Sequence, residues 1–393
     1  MKFLDNIVTN QRQWIIRLIV GCILLQLFLT SSLWWSAGRT FPTVPFFNFM
    51  PPIAYWWFQS LLPWLFVINL LLVLIFPKIK KGLLLVITLA ILLILFDVNR
   101  LQVWMYQWFC MLTVLYFSTK ESTWKSCLQF MLMALYFWSG FNKLSIPYLE
   151  HSFPYLMDAF SITKPIGDMK AMAIISALIE MGIGIGLFFQ KSRNIALWIA
   201  ILMHLLILLI LGPFGANVNE VVWPWNIAMI FIVLLLFHSA PFSGLSHLWK
   251  RSFLIKIIMI FWGLMPLGNV FNIWDEQLSF KMYSGTNPEG MLIDRSISKD
   301  CFPDSLKVYY TRNGFEEAEL ILIDDWALKE LKAPPYVSER TLKQIAKKWC
   351  SCLAEPEKGT LEIMRVWRWS GKERENLRVD CVDLLRAPSC GLR

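Results

Sequence analysis

Up to about residue 275 the chain is a succession of long apolar runs separated by short polar breaks, and beyond that point the pattern stops. Runs of about 17–24 apolar residues fall at approximately 13–36, 53–76, 79–97, 101–118, 124–144, 169–189, 194–212, 222–238 and 253–273, each long enough to cross a roughly 30 Å hydrocarbon core as a helix. Trp and Tyr crowd many of their ends, as they do at membrane interfaces. This predicts an all-α polytopic membrane bundle of about nine spans over residues 1–275. The third and fourth runs are joined only by "DVNRLQ", so one of them is open to a re-entrant reading. The first run is too long, and lacks the small-residue cleavage site, for a removed signal peptide, and it is expected to stay as a helix.

From about 276 to 393 the pattern changes to short alternating stretches, "SLKVYYT", "AELILI" and "TLEIMRVWRW", with one amphipathic helix candidate, "SERTLKQIAKKWCSCL". A small C-terminal domain, α+β or mostly β, is expected there. Five of the eight cysteines lie in it, Cys301, Cys350, Cys352, Cys381 and Cys390. On the oxidising side of a membrane they predict two disulfides and one leftover thiol. The Cys-x-Cys at 350–352 has no accompanying histidines, so no metal site is expected.

Composition agrees with the pattern: 56% hydrophobic residues and 17% charged, with a mean hydropathy of +0.52, place the chain in a bilayer. Charge then supplies an orientation. "MKFLDNIVTNQRQWIIR", "PKIKK", "TKESTWK", "QKSR" and "SHLWKRSFLIK" put Lys and Arg into every second connection, which predicts a multi-pass inner-membrane protein with a cytoplasmic N-terminus and an extracytoplasmic C-terminal domain. The net charge of +9 is accounted for by these loops and a mildly basic tail, and no basic patch interleaved with aromatics calls for nucleic acid. Signatures of a phosphate loop, a zinc protease or a nucleophile elbow are absent, and neither inverted repeats nor paired broken helices suggest a transporter.

Polar residues within the apolar runs are the candidates for chemistry, because an ionisable group at membrane depth is costly. Asp97 and Arg100 are three apart and are expected to pair on one helical face. In "LYFWSGFNKL", Tyr136, Gly140 and Lys143 stand at i, i+4 and i+7 with Asn142 adjacent, so a phenol, a gap in bulk and an amine share one face. Lys143 reads either as a snorkelling helix-end lysine or as a placed amine. Glu180, deep in "SALIEMGIGIGLFF", must be protonated or paired, and Gly182-x-x-x-Gly186 beside it would let a neighbouring helix approach. His204 sits among leucines and isoleucines and needs a partner, with Glu180 as one candidate. Trp225 and Asn226, in "WPWN", stand at the mouth of the next run, where the tryptophan is either a belt residue or the wall of a site for a planar ring. Together these groups predict one outward-opening, aromatic-walled cavity.

"YFWSGFNKL", followed by "MHLLILLILGPFG" and "VWPWNIAMIFIVLLLF", resembles the membrane part of the vitamin K-dependent γ-carboxylase-like family, also described as horizontally transferred transmembrane domain proteins. The resemblance covers residues 10–275, and "WDEQLSFKMYSGT" beyond the last run is similar to its bacterial members. It implies that Lys143, in the Gly-x-x-Lys-Leu sequence, is the base towards a reduced quinone such as vitamin K hydroquinone or menaquinol. It implies further that His204 is the membrane histidine of the site. Lys143 and His204 on the resemblance, with Glu180 from the cavity reading, are expected as catalytic residues, and Tyr136, Asn142, Trp225, Asn226 and Arg100, from the same cavity reading, as cofactor-binding ones. The implied activity is quinol-dependent oxidation, epoxidation or carboxylation, with membrane lipid, a quinone-like lipid and a protein substrate as partners. The tail of about 115 residues leaves no counterpart of the large substrate-holding region of the animal enzyme, and the alternative is a non-catalytic membrane protein whose outer domain binds a partner or lipid.

Overall fold

A computed structural model describes residues 10–49, 56–158, 169–238, 241–271, 273–295, 306, 308–313, 318–369 and 374–386. Through residue 285 it is helical. The principal helices are α1 (Gln11–Leu29), α2 (Trp56–Ile75), α3 (Lys80–Phe96), α4 (Val103–Phe117), α5 (Glu121–Lys143), α6 (Met169–Phe188), α7 (Arg193–Leu211), α8 (Val222–Phe237) and α9 (Phe253–Phe271). α9 loosens into a π turn at Ile260–Leu264 before Pro266. The turn between α6 and α7 is closed by the polar residues that interrupt the apolar pattern: Ser192 donates to the Gly186 carbonyl at 2.9 Å and Arg193 Nε to that of Leu187 at 3.2 Å. These bonds satisfy carbonyls that the end of a helix would otherwise leave unpaired.

Four of these helices, α1, α6, α7 and α9, are long and apolar enough to cross a membrane. The expected count of about nine is not borne out. The Gln59–Ile75 part of α2, α4 and α8 are shorter apolar helices, and α3 has only 17 residues. α5 has 23 residues but carries Glu121, Lys125, Gln129, Asn142 and Lys143. The surroundings of the long helices are nonetheless apolar. α7 turns Ile195, Trp198, Leu202, Leu205, Leu206 and Leu209 outward, while it buries Ala196, Leu197, Ala200 and His204. A contiguous outward face of this kind has no favourable contact in water.

The C-terminal region contains an antiparallel sheet of β1 (Glu289–Asp294), β2 (Thr311–Asn313), β3 (Ala318–Leu322), β4 (Gly359–Val366) and β5 (Arg374–Asp380), in the order β2-β3-β1-β4-β5. Leu292 faces Ile321 on one side and Leu361 on the other, and all three are fully buried. Helices α10 (Ile323–Leu331), α11 (Glu339–Cys350) and α12 (Cys381–Arg386) complete the region. α11 buries Leu342, Ile345, Ala346 and Trp349, and the Ser338 hydroxyl caps it by accepting from the Thr341 N–H at 3.1 Å. The expected strand "SLKVYYT" is displaced: Val308 and Tyr309 form a turn, and the strand begins at Thr311.

One disulfide joins Cys350 to Cys381, and Cys352 is a free thiol. The other two cysteines of the expected pairing, Cys301 and Cys390, lie outside the described residues.

The chain divides into two compact units. The first comprises Met1–Leu29, Leu65–Ala90 and Val103–Gly285, and the second Thr30–Trp64, Ile91–Gln102 and Thr286–Arg393. The second unit thus takes in two segments from among the helices along with the C-terminal region. Glu330 ties one of them in: its carboxylate accepts from the Thr40 and Phe41 backbone N–H groups, the Thr40 hydroxyl and Trp326 Nε1.

Candidate functional site

The first unit gathers its polar side chains where α5 crosses α6, and glycine makes that crossing possible. A Cβ on Gly140 would lie 2.7 Å from the Ala177 carbonyl oxygen and 2.9 Å from Met181 Cα, and against the Met181 amide nitrogen. Reciprocally, a Cβ on Gly184 would meet the Met133 carbonyl oxygen at 2.5 Å and the Phe137 nitrogen at 2.7 Å. Each glycine therefore receives the backbone of the other helix. Two expectations are corrected here. The gap beside Gly140 is filled by α6 and gives a ligand no room. The close approach to α5 uses Gly184 and Gly182 faces open space, whereas Gly186 does admit a neighbouring helix, α7, whose Ala196 Cβ would lie 2.8 Å from an added Cβ.

With the helices this close, Lys143 at the end of α5 forms an ion pair with Glu180 of α6, and its amine also donates to Ser139 Oγ at 3.3 Å. The side chains of the pair are only 12% and 10% exposed. Lys143 is therefore held inward instead of extending freely from the helix end. Glu180 thus has the close partner that a buried carboxylate needs. Its partner is the lysine and not His204.

His204 has a different pair of partners. Its Nε2 is 2.7 Å from the Tyr136 hydroxyl, and its Nδ1 is 2.8 Å from Asn226 Oδ1. Asn226 Nδ2 donates to the Val222 carbonyl at 2.7 Å, which turns the amide oxygen towards the ring. Nδ1 must then carry the proton, and Nε2 is left as the acceptor of the Tyr136 O–H. All three side chains are buried. Lys143, Glu180, Tyr136, His204 and Asn226 are thus contributed by four helices of one unit. Both ring nitrogens of His204 are occupied, so it reaches other groups only through Tyr136 and Asn226.

The remaining expected site residues are placed otherwise. Asn142 donates to the Ser279 carbonyl at 2.6 Å, and its neighbour Ser145 to that of Ser284 at 2.8 Å, which together fasten the chain after α5. Trp225 is buried and donates to Gln107 Oε1 at 2.8 Å. Arg100 belongs to the second unit, where its guanidinium donates to the carbonyls of Leu33, Trp34 and Leu93 at 2.9–3.1 Å and lines a cavity with Ser36, Thr43, Gln59 and Phe96. Its expected ion pair is also corrected. Asp97 pairs with Arg39, and residues 98–100 form a 3-10 turn that Asp97 caps through the Asn99 N–H.

Sequence reasoning missed Ser139 and Tyr148. Ser139 stands four residues before Lys143, a spacing that marks it as a helical neighbour. Tyr148 donates to Ser176 Oγ at 2.9 Å, since Ser176 spends its own proton on the Ala173 carbonyl. With Phe153, Ala173 and Ala177 it forms an apolar cluster against which Leu144 packs, next in sequence to Lys143. Among the described residues no group of His, Cys, Asp and Glu is arranged to hold a metal ion.

No protein-family model matches the chain, and no curated protein or solved structure matches it either.

Proposed function

We propose that the chain is a multi-pass membrane enzyme that takes a proton from a lipid-soluble hydroquinone, with Lys143 as the base and Glu180 as its proton partner. The observation that carries this reading is the Lys143–Glu180 ion pair, lodged between helices whose other faces are apolar. An ion pair at that depth is expensive to desolvate, and apolar side chains would hold two helices together at less cost. The resemblance of "GFNKL" to the lysine motif of the γ-carboxylase-like family points the same way.

A reduced quinone supplies a phenol-type hydroxyl and, once deprotonated, an electron-rich ring that reacts with oxygen. The residues suit such a partner. Lys143 lies at the end of its helix beside an apolar cluster, and the flank at Gly140 is closed, so a ring approaches from the end of α5. Lys143 first hands its extra proton to Glu180, which leaves a neutral amine beside a carboxylic acid. The amine then accepts the hydroxyl proton, and Ser139 Oγ holds it in place. Oxidation or epoxidation then needs molecular oxygen, which takes the electrons of the deprotonated ring, whereas carboxylation requires carbon dioxide and a protein substrate in addition. The N-terminus is assigned to the cytoplasm on the basic loops and the C-terminal region to the outside on its disulfide, an arrangement that needs an odd number of crossings and so at least one of the shorter apolar helices, α2, α4 or α8, in addition to the four long ones.

The test is oxygen uptake and quinol absorbance with purified protein in detergent, supplied with menaquinol or vitamin K hydroquinone. Turnover is expected in wild type and is lost in both Lys143→Ala and Lys143→Arg, because guanidinium does not give up its proton at working pH. Absence of turnover in wild type, with a stable Lys143→Arg, would leave the ion pair as a helix clamp and the chain as a non-catalytic membrane protein.

A further inference from the structure

We infer that Tyr136 and His204 form a redox-active phenol–imidazole pair, in which one-electron oxidation of Tyr136 is coupled to transfer of its proton to His204 Nε2. A buried phenol loses an electron easily only if its proton has somewhere to go, since the protonated radical cation is very acidic and a bare charge in an apolar interior is costly. Tyr136 is 0% exposed and His204 5%, so water is no ready acceptor. The imidazole is. Asn226 Oδ1 accepts a hydrogen bond from Nδ1–H at 2.8 Å and its own amide donates to Val222, which leaves the Nε2 lone pair aimed at the phenol 2.7 Å away. A tyrosine that merely needed a hydrogen-bond partner could use any backbone carbonyl. This one is given a base whose tautomer is locked by two further residues.

The step balances as follows. The Tyr136 O–H bond breaks and an N–H bond forms at Nε2, giving a neutral phenoxyl radical and an imidazolium. The electron leaves to an oxidant of the class of an organic peroxyl radical, which becomes a peroxide anion and takes its proton from water. The pair is reset when a hydroquinone-class donor returns one electron and the imidazolium returns the proton. The inference stands on the geometry of Tyr136 and not on the base role given to Lys143.

Full-length protein in detergent is exposed under air to peroxyl radicals from a lipophilic azo initiator, freeze-quenched and examined by electron paramagnetic resonance. A tyrosyl signal is expected in wild type and in Lys143→Arg. It is lost in Tyr136→Phe and falls at least tenfold in His204→Gln, whose amide can accept the hydrogen bond but not the proton. Should His204→Gln fail to fold, hyperfine spectroscopy of the wild-type radical after 15N-histidine labelling supplies the same test through a hydrogen bond from an imidazole nitrogen. A wild-type signal no larger than that of Tyr136→Phe, an undiminished signal in His204→Gln, or a radical with no coupling to histidine nitrogen would overturn the inference.

Discussion

Replacing either of two glycines by alanine separates the observed helix crossing from the one that the sequence motif suggests. At Gly140 the added methyl meets backbone, 2.7 Å from the Ala177 oxygen and 2.9 Å from Met181 Cα, where ordinary contacts lie at 3.4–4 Å. No side-chain rotation relieves a clash with backbone, so α5 and α6 must part by roughly 1 Å, the upper part of the 1–3 kcal/mol range for overpacking a core. Exchange of glycine for alanine in a helix returns about 1 kcal/mol. Gly140→Ala is therefore expected to lose about 2 kcal/mol net. At Gly182 nothing lies within 4 Å, so Gly182→Ala keeps only the propensity gain of about 0.5–1 kcal/mol. Thermal unfolding in detergent, followed with a dye that reacts with the buried thiols of Cys22 and Cys127 as they become exposed, reads both variants. At a few degrees per kcal/mol, the two midpoints should differ by roughly 5–10 °C. A Gly140→Ala variant as stable as wild type, or a Gly182→Ala variant less stable than Gly140→Ala, would refute the assignment of the crossing to Gly140 and Gly184.

Three further outcomes are expected. Glu180→Gln strands the Lys143 ammonium and should cost about 3–5 kcal/mol, while adding Lys143→Met restores most of the stability but none of the proposed quinol turnover, as melting curves and oxygen uptake on the same preparations would record. Asp324, half-buried at the start of α10, has its carboxyl pushed up to about 7 by burial and by the Glu289 and Asp325 carboxylates. Folding thus favours its protonated form, a contribution present in full below about pH 4 and lost as the pH rises through 7. Denaturant unfolding of the C-terminal region should weaken over that window in wild type and much less in Asp324→Asn. Finally, the Cys350–Cys381 bond closes a separation of 31 residues, so Cys350→Ala/Cys381→Ala should lower the stability of that region by roughly 3–4 kcal/mol in the same unfolding assay.

Sequence periodicity marked where helices lie more reliably than which of them are long enough to span a bilayer, because apolar runs extend past the hydrogen-bonded helix into loops. The run at 101–118, for example, contains a helix of only 15 residues, Val103–Phe117. The central strand Glu289–Asp294 went unread: "EGMLID" opens with a charge and a glycine, and its burial on both faces leaves no alternation to detect. In the site, the candidates Tyr136, Lys143, Glu180, His204 and Asn226 were visible as polar residues in apolar surroundings. Their partners were not, since pairing depends on helix rotation and depth, which hydropathy does not encode. Glu180 stands 24 residues before His204 and 37 after Lys143, and the shorter separation suggested the wrong partner. Gly140 was read as room for a ligand because a sequence cannot say what fills a gap.

The distribution of those polar groups bears on how any single substitution should be read. Tyr136 and Lys143 come from α5, Glu180 from α6, His204 from α7 and Asn226 from α8, so each side-chain pair among these five joins two different helices. Separated from the others, each helix would present an unpaired polar group to lipid, a cost of the order of 1–3 kcal/mol for a neutral group and more for a charged one. Assembly of α5 to α8 and assembly of the site are therefore the same event. Loss of turnover on changing Glu180 or His204 carries no mechanistic weight until the bundle is shown to remain assembled. Lys143→Arg is the more informative change, because it keeps a cation for Glu180 while removing the ability to act as a base.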